Sequence, residues 1–127
     1  MKKALKTVLF VILGIIALGL VLAGFGTLGL KEATALEIAA IDLSQVPDGK
    51  YEGSYQNGRW SNDVEVTVKD SSIEDIRIIK SGNSSQIAVL EEISNAVIEQ
   101  QKVNIDAVSG ATATTNSLLK AIENAFE

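Results

Sequence analysis

Cysteine and histidine are both missing from the 127 residues, and proline occurs once. Without cysteine there is no disulfide, zinc–thiolate site, iron–sulfur cluster or c-type haem attachment. Without histidine the commonest general base and metal ligand is gone, and neither a Ser-His nor a Cys-His nucleophile can be assembled. Redox or group-transfer chemistry in this chain therefore belongs to a borrowed cofactor rather than to side chains. Basic charge is also scarce where a soluble domain would lie. From residue 32 onward seven Lys and Arg face all sixteen Asp and Glu, a net of −9. A domain so acidic repels phosphate backbones, so nucleic acid is excluded as a partner.

Residues 7–30 carry no charge over twenty-four positions and are dominated by Leu, Ile, Val, Gly and Ala. As a helix the run spans about 36 Å, against a hydrocarbon core of ~30 Å. Lys2, Lys3 and Lys6 precede it, which by the positive-inside rule puts the N-terminus in the cytoplasm and everything after Lys31 outside. Ala33-Thr34-Ala35 has the small residues of a signal-peptidase site, but signal-peptide apolar cores are roughly 7–15 residues and this one is far longer. The reading is an uncleaved single-pass anchor at 1–30, a juxtamembrane linker at 31–47 and one exported domain at 48–127. Membrane lipid is thus the first expected partner.

The exported part reads as α+β. The segment 31–46 is able to continue a helix briefly before Pro47-Asp48-Gly49 turns the chain. A short strand at 50–55 carries Tyr51 and Tyr55, and Asn57-Gly58 supplies a hairpin turn. Strict alternation over 63–69, with Val64, Val66 and Val68 on one face, marks a half-buried antiparallel strand. Asp70-Ser71-Ser72 then turns the chain into a third strand over 73–80. Ser85 is the expected cap of a helix over 86–101, with Leu90, Ile93 and Val97 inward. Residues 103–107 are able to add a fourth strand. Thr114 or Thr115 caps a last helix, whose buried stripe is Leu118, Ile122, Ala125 and Phe126.

The unusual stretch is Asp106-Ala107-Val108-Ser109-Gly110-Ala111-Thr112-Ala113-Thr114-Thr115. Small and hydroxyl residues that feed a helix start offer backbone N–H groups, hydroxyls and the positive end of the helix dipole, all of which suit a phosphate. Taken alone, that pattern also describes a plain capped loop. Trp60, Tyr51 and Tyr55 are aromatic enough to stack on a ring, although aromatics on a small sheet are usually core or rim. The acidic pairs Glu74-Asp75 and Glu91-Glu92 read as solvated faces, and no metal constellation is visible.

Asp-x-x-Ser-Gly-Ala-Thr at 106–112 resembles the flavinylation motif of the FMN-binding domain family. That family includes the peripheral flavin subunits of the sodium-translocating NADH:quinone reductase and of the Rnf complexes, and short membrane-anchored extracytoplasmic flavoproteins. The likeness extends back to Asp48-Gly49-Lys50-Tyr51-Glu52-Gly53, similar to the family's opening Asp-Gly-x-Tyr-x-Gly, and to the Val-rich and Ile-rich strands over 64–79. The resemblance implies FMN joined through its phosphate to the Thr112 hydroxyl by a magnesium-dependent flavin transferase. It implies Asp106, Ser109, Gly110 and Ala111 as the residues that the transferase recognises and that shape the phosphate pocket. Where the family often has Glu-Thr-Pro-Gly-x-Gly ahead of the first domain helix, this chain reads Ser81-Gly82-Asn83-Ser84-Ser85-Gln86. The departure leaves the flavin ring with less non-covalent grip and more exposure.

The function expected from these readings is a membrane-anchored, extracytoplasmic electron carrier with covalent FMN and no catalytic side chains of its own. Its partners would be a membrane redox donor and an extracytoplasmic acceptor. The alternatives are a small subunit of a quinone-linked redox complex, and a flavin-free binding or sensor module of the same fold.

Overall fold

The computed structural model describes residues 1–26, 29–82, 84–107 and 110–127. The first element, α1 (Lys2–Gly26), is a 25-residue helix, and over Lys2–Gly24 none of its surface is buried against the rest of the chain. Its Leu, Ile and Val side chains and Phe10 point outward all round. By length and composition it is able to cross a bilayer.

The helical tendency expected after Lys31 ends early. Helix α2 (Leu30–Thr34) is five residues long. The chain then runs irregularly to a 3-10 turn at Leu43–Gln45, where the Asp42 carboxylate accepts from the Ser44 amide N–H at 3.1 Å and from its hydroxyl at 2.6 Å.

Three strands follow as an antiparallel meander: β1 (Gly49–Tyr55), β2 (Asn62–Lys69) and β3 (Ser72–Ser81), in the order β1-β2-β3. Alternation in β2 sets the faces. Val64, Val66 and Val68 are buried and sit opposite Gly53, Tyr51 and Gly49 on β1 and Ile78, Ile76 and Ile73 on β3. Two register shifts in the β2–β3 ladder leave Glu74 and Ile79 without a partner on β2, which is how β3 keeps Ile73, Ile76 and Ile78 inward despite their uneven spacing. Asp70 and Ser71 make the tight β2–β3 turn with φ of 52° and 61°, the left-handed pair that a two-residue hairpin requires. On the outer face Glu65 lies opposite Glu52 on one side and Arg77 on the other, with a 3.7 Å ion pair to the arginine.

Helices α3 (Ile87–Gln100) and α4 (Thr112–Ala125) cover the inner face. Helix α3 brings Leu90, Ile93 and Val97 over β3, and α4 brings Leu118, Leu119, Ala121 and Ile122 over β1 and β2. Gly53 governs that second contact. A Cβ there would overlap the Ala121 carbonyl oxygen and the Ala125 main chain, so glycine lets helix and strand backbones meet directly.

Three local expectations are corrected. Residues 103–107 form no strand: Val103 is buried in the core and Ile105 N–H bonds back to the Val103 carbonyl at 2.9 Å. The edge such a strand would join is occupied at Ile73, whose N–H donates to Gln101 Oε1 at 2.7 Å and whose carbonyl accepts from Gln101 Nε2 at 2.9 Å. A side-chain amide takes the place of a neighbouring strand. Ser85 is not the cap of α3, because it lies inside a 3-10 turn (Ser84–Gln86) and Gln86 holds the cap position without a side-chain bond. Neither Thr114 nor Thr115 caps α4, which already begins at Thr112 behind Ala111.

Gly53→Ala is expected to destabilise the domain by about 1–3 kcal/mol, the usual cost of overpacking a close contact, with Gly53→Val worse. Urea unfolding followed by circular dichroism measures it; an unchanged midpoint would mean that α4 is free to slide on the sheet.

Candidate functional site

The site is built around the start of α4. Gly110 turns the chain with φ 79°, and Ala111 holds the cap position with no side chain able to bond the first-turn amides. The N–H groups of a first helical turn have no partner within the helix, so this end presents donors and a partial positive charge. Thr112 is the first helical residue and is exposed, while Ala113, Thr114 and Thr115 behind it are buried. The buried hydroxyls are turned inward. Thr115 Oγ1 donates to the Ala111 carbonyl at 2.8 Å, and Ser117 Oγ donates to the Thr114 carbonyl at 2.9 Å. Among the described residues Thr112 is thus the motif hydroxyl that is exposed.

Of the other residues expected at the site, Gly110 and Ala111 are adjacent to Thr112, and Asp106 is exposed in the irregular stretch before the turn. Ser109 and the loop residue Asn83 lie outside the described residues. Tyr51 is elsewhere: its ring packs on Phe126 at the far end of α4, 5.7 Å between centroids, and its hydroxyl donates to the Pro47 carbonyl at 2.6 Å. It is a rim residue and not a stacking platform at Thr112. Glu74, Asp75, Glu91 and Glu92 are exposed, as expected of solvated faces. Among the described residues no cluster of acidic side chains is arranged to hold a metal.

Two residues that sequence reasoning left aside, Arg59 and Asn62, join Trp60 to complete the site. A 3-10 turn (Gly58–Trp60) places Arg59 over the Trp60 ring, 5.0 Å to the centroid. Asn62 follows at the start of β2, buried, and its amide donates to Ser117 Oγ on α4 at 3.0 Å. Trp60, Asn62, Gln86, Leu90, Thr114 and Ser117 enclose a narrow cavity of about 10 Å³. Among the described residues the Trp60 indole N–H and the Asn62 carbonyl oxygen are buried without hydrogen-bond partners. Asn62 was discoverable in the sequence: it is in phase with Val64, Val66 and Val68, so a polar side chain is sent to the core face. The loop after β3 closes the same corner, because the Gly82 N–H donates to the Ser61 carbonyl at 2.8 Å.

A wider hollow of about 200 Å³ adjoins it, lined by Gln56, Ser61, Asn62, Asp63, Lys80 and Gly82. It is smaller than the ~300–1,000 Å³ pockets that enclose most small ligands. A larger depression of about 550 Å³ lies on the outer sheet face, but Glu52 and Asp63 line it and no basic residue does, which disfavours a phosphate there.

These features fit FMN in a particular way. The uncapped first turn of α4 and the exposed Thr112 hydroxyl suit the phosphate end. One orphaned donor and one orphaned acceptor, beside an indole, suit the alternating carbonyl and N–H edge of a flavin ring. Among the described residues the hollow beside Asn62 is too small to engulf the ring.

Comparison with known proteins agrees with the geometry. The chain is 27% identical over 86 residues to a protein of Treponema pallidum (strain Nichols) described only as uncharacterized; that match covers 66% of this chain and 24% of the relative. It is 34% identical over 92 residues to a protein of Vibrio harveyi named NADH:acrylate oxidoreductase, covering 68% of this chain and 9% of the relative. The chain therefore spans a quarter or less of the length of these relatives. No solved structure matches it.

Ser117→Ala removes the acceptor of a buried amide and is expected to cost about 1–3 kcal/mol. A lowered urea midpoint with an unchanged slope is the expected readout, and no change would mean that Asn62 finds another partner.

A family model for the FMN-binding domain matches residues 58–127, more than half of the chain, and the chain belongs to that family, with FMN as its cofactor.

Proposed function

We propose that this protein is a membrane-anchored electron carrier that holds FMN covalently on Thr112 and works on the extracytoplasmic side of a cytoplasmic membrane. The observation that carries the reading is the exposed Thr112 hydroxyl on the uncapped first turn of α4, inside a motif that resembles the family's flavinylation site. In the attachment step the Thr112 oxygen forms a bond to the FMN phosphorus of FAD while the pyrophosphate bond breaks. AMP leaves, the hydroxyl proton is released, and a magnesium-dependent flavin transferase is the catalyst.

The tether matters because the site is shallow. A hollow of about 200 Å³ gives a flavin little non-covalent burial, whereas a phosphoester would fix it at any dilution. Asp106 and Ser109-Gly110-Ala111 would present the acceptor to the transferase, the α4 N-terminus would stabilise the phosphate charge, and Trp60 with Asn62 would contact the ring. Bound FMN supplies reversible one- and two-electron transfer; no side chain here is asked to react with a substrate. The redox name of the Vibrio relative favours this reading over a flavin-free binding module. The donor would be a membrane redox protein and the acceptor an extracytoplasmic one.

Retention of the anchor is supported by the state of the signal-peptidase-like sequence. Ala33 is fully buried, and the Ala33 and Thr34 carbonyls accept from Asn116 Nδ2 at 3.1 and 3.3 Å. A peptidase needs that segment extended and accessible. The three lysines before α1 support an inside N-terminus.

The protein made together with a flavin transferase is expected to give a fluorescent band on a denaturing gel, with the mass of one FMN less water added. Thr112→Val should abolish both signals while changing stability by no more than about 0.5 kcal/mol, since the side chain is exposed. A colourless wild-type band would overturn the carrier reading. In the flavinylated protein, Trp60→Phe should leave the attached mass unchanged and raise native flavin fluorescence, because an indole in contact quenches it; unchanged emission would remove Trp60 from the site.

A further inference from the structure

The chain that leaves α1 does not hang free before the domain begins. The Gly29 carbonyl accepts from Asn57 Nδ2 at 3.1 Å, and the same amide group donates to Tyr55 Oη at 3.0 Å. Gly29 has φ 84°, and a Cβ on it would overlap the Asn57 amide. Four residues on, Ala33 is wholly buried as α2 packs on α4, and Asn116 of α4 donates to the carbonyls of Ala33 and Thr34. The turn is therefore pinned at both ends, to the β1–β2 connection and to α4. Two separate attachments leave no hinge between residue 29 and the domain.

We propose that this docked turn holds the Thr112 end of the domain against the lipid surface, so that the headgroup layer is the partner surface of that end of the molecule. The inference rests on α1 being the membrane anchor. Gly26 ends α1 and Gly29 is already docked; three Cα steps reach at most about 11 Å. Asn116, which grips the turn, lies one helical turn from Thr112 on the same face of α4, a rise of about 6 Å. The opposite end of the sheet, at Lys69, lies about 24 Å along β2 from Asn62, which sits beside α4's first turns. Charge makes the dock consequential. A domain of net −9 from residue 32 onward is repelled by anionic headgroups over roughly a Debye length, about 10 Å at 0.1 M salt. Untethered, it would drift outward. A group carried on Thr112 is consequently offered to partners in or on the membrane ahead of soluble ones.

The absence of cysteine allows a direct test with the full chain in vesicles. Thr112→Cys and Lys69→Cys each create one labelling site, and a lipid with a headgroup-attached quencher reports which label lies at the surface. The label at 112 is expected to be quenched several-fold more than the label at 69. Combining Asn57→Ala with Asn116→Ala, or introducing Gly29→Ala alone, should erase that difference while far-ultraviolet circular dichroism stays unchanged. The loss should be larger on anionic vesicles at low salt than at high salt. Equal quenching at both positions in a chain that resists alkaline carbonate washing overturns the dock and leaves the anchor standing. Quenching at 112 that ignores the dock variants does the same. A chain that washes off the vesicles overturns the anchor and the dock together. The label needs no flavin, so the outcome is independent of whether Thr112 is flavinylated.

Discussion

The backbone-to-backbone contact between Gly53 and the Ala121–Ala125 stretch of α4 is the constraint on which the other features depend. It fixes how near the helix lies to β1. Leu118 and Ile122 then reach the valines of β2, and Ser117 comes opposite Asn62. Asn124 Nδ2 reaches the Ser54 carbonyl at 2.8 Å, which locks the C-terminal half of the helix along the same strand. Asn116 is left on the outward side to take α2. A helix held a few ångströms higher would keep its hydrophobic stripe but lose every one of these polar contacts. Packing fixes the position, and the hydrogen bonds depend on it.

The N-terminal half of α4 is made of residues that ordinarily weaken a helix. Thr112, Thr114, Thr115 and Ser117 all have side chains able to compete with main-chain bonding. Three of them are buried, and Thr115 and Ser117 return their hydroxyls to carbonyls one turn back, so they stay satisfied without reaching outward. Small side chains also let α3, the 3-10 turn and the loop after β3 converge on the helix start. The cost is a first turn without a side-chain cap. An anion joined at Thr112 would supply what the cap omits, and so an end that is weak as a structure is suitable as an attachment point.

Much of the sheet was legible in the sequence, because a period of two leaves little freedom: Val64, Val66 and Val68 fix β2, and its neighbours follow by turn chemistry. The stripe of α4 was legible for the same kind of reason. What escaped was decided by side-chain geometry in three dimensions. Nothing local in residues 103–107 says that Gln101, with φ 54° and its amide folded onto Ile73, already fills the strand's place. Nothing in 31–46 says that α2 stops at Thr34 because its carbonyls are needed by an asparagine some eighty residues away. At the candidate site the motif pointed to Thr112, which the structure leaves exposed, but the helix cap was misplaced by three to four residues. With several hydroxyl residues in a row, any of them satisfies the pattern of a cap, and only the inward turn of Thr115 and Ser117 tells them apart.

The same limits explain why a chain with no histidine and no cysteine is able to serve redox chemistry. A domain of this size buries only ~60% of its unfolded surface, and the hollow that the described residues leave beside Asn62 is about 200 Å³. A hollow of that size limits what burial contributes to affinity. A covalent bond at an exposed residue avoids that limit, because it requires one accessible hydroxyl, a helix end that tolerates negative charge and a surface on which a ring can rest. Thr112, the first turn of α4 and the Arg59-Trp60 surface meet those three requirements at one corner of the fold. The proposed anchor would add a fourth element by confining the carrier to two dimensions, which raises its effective concentration at a membrane partner. With its cofactor and its chain both tethered as proposed, a small acidic domain would have little need of a deep pocket or a reactive side chain.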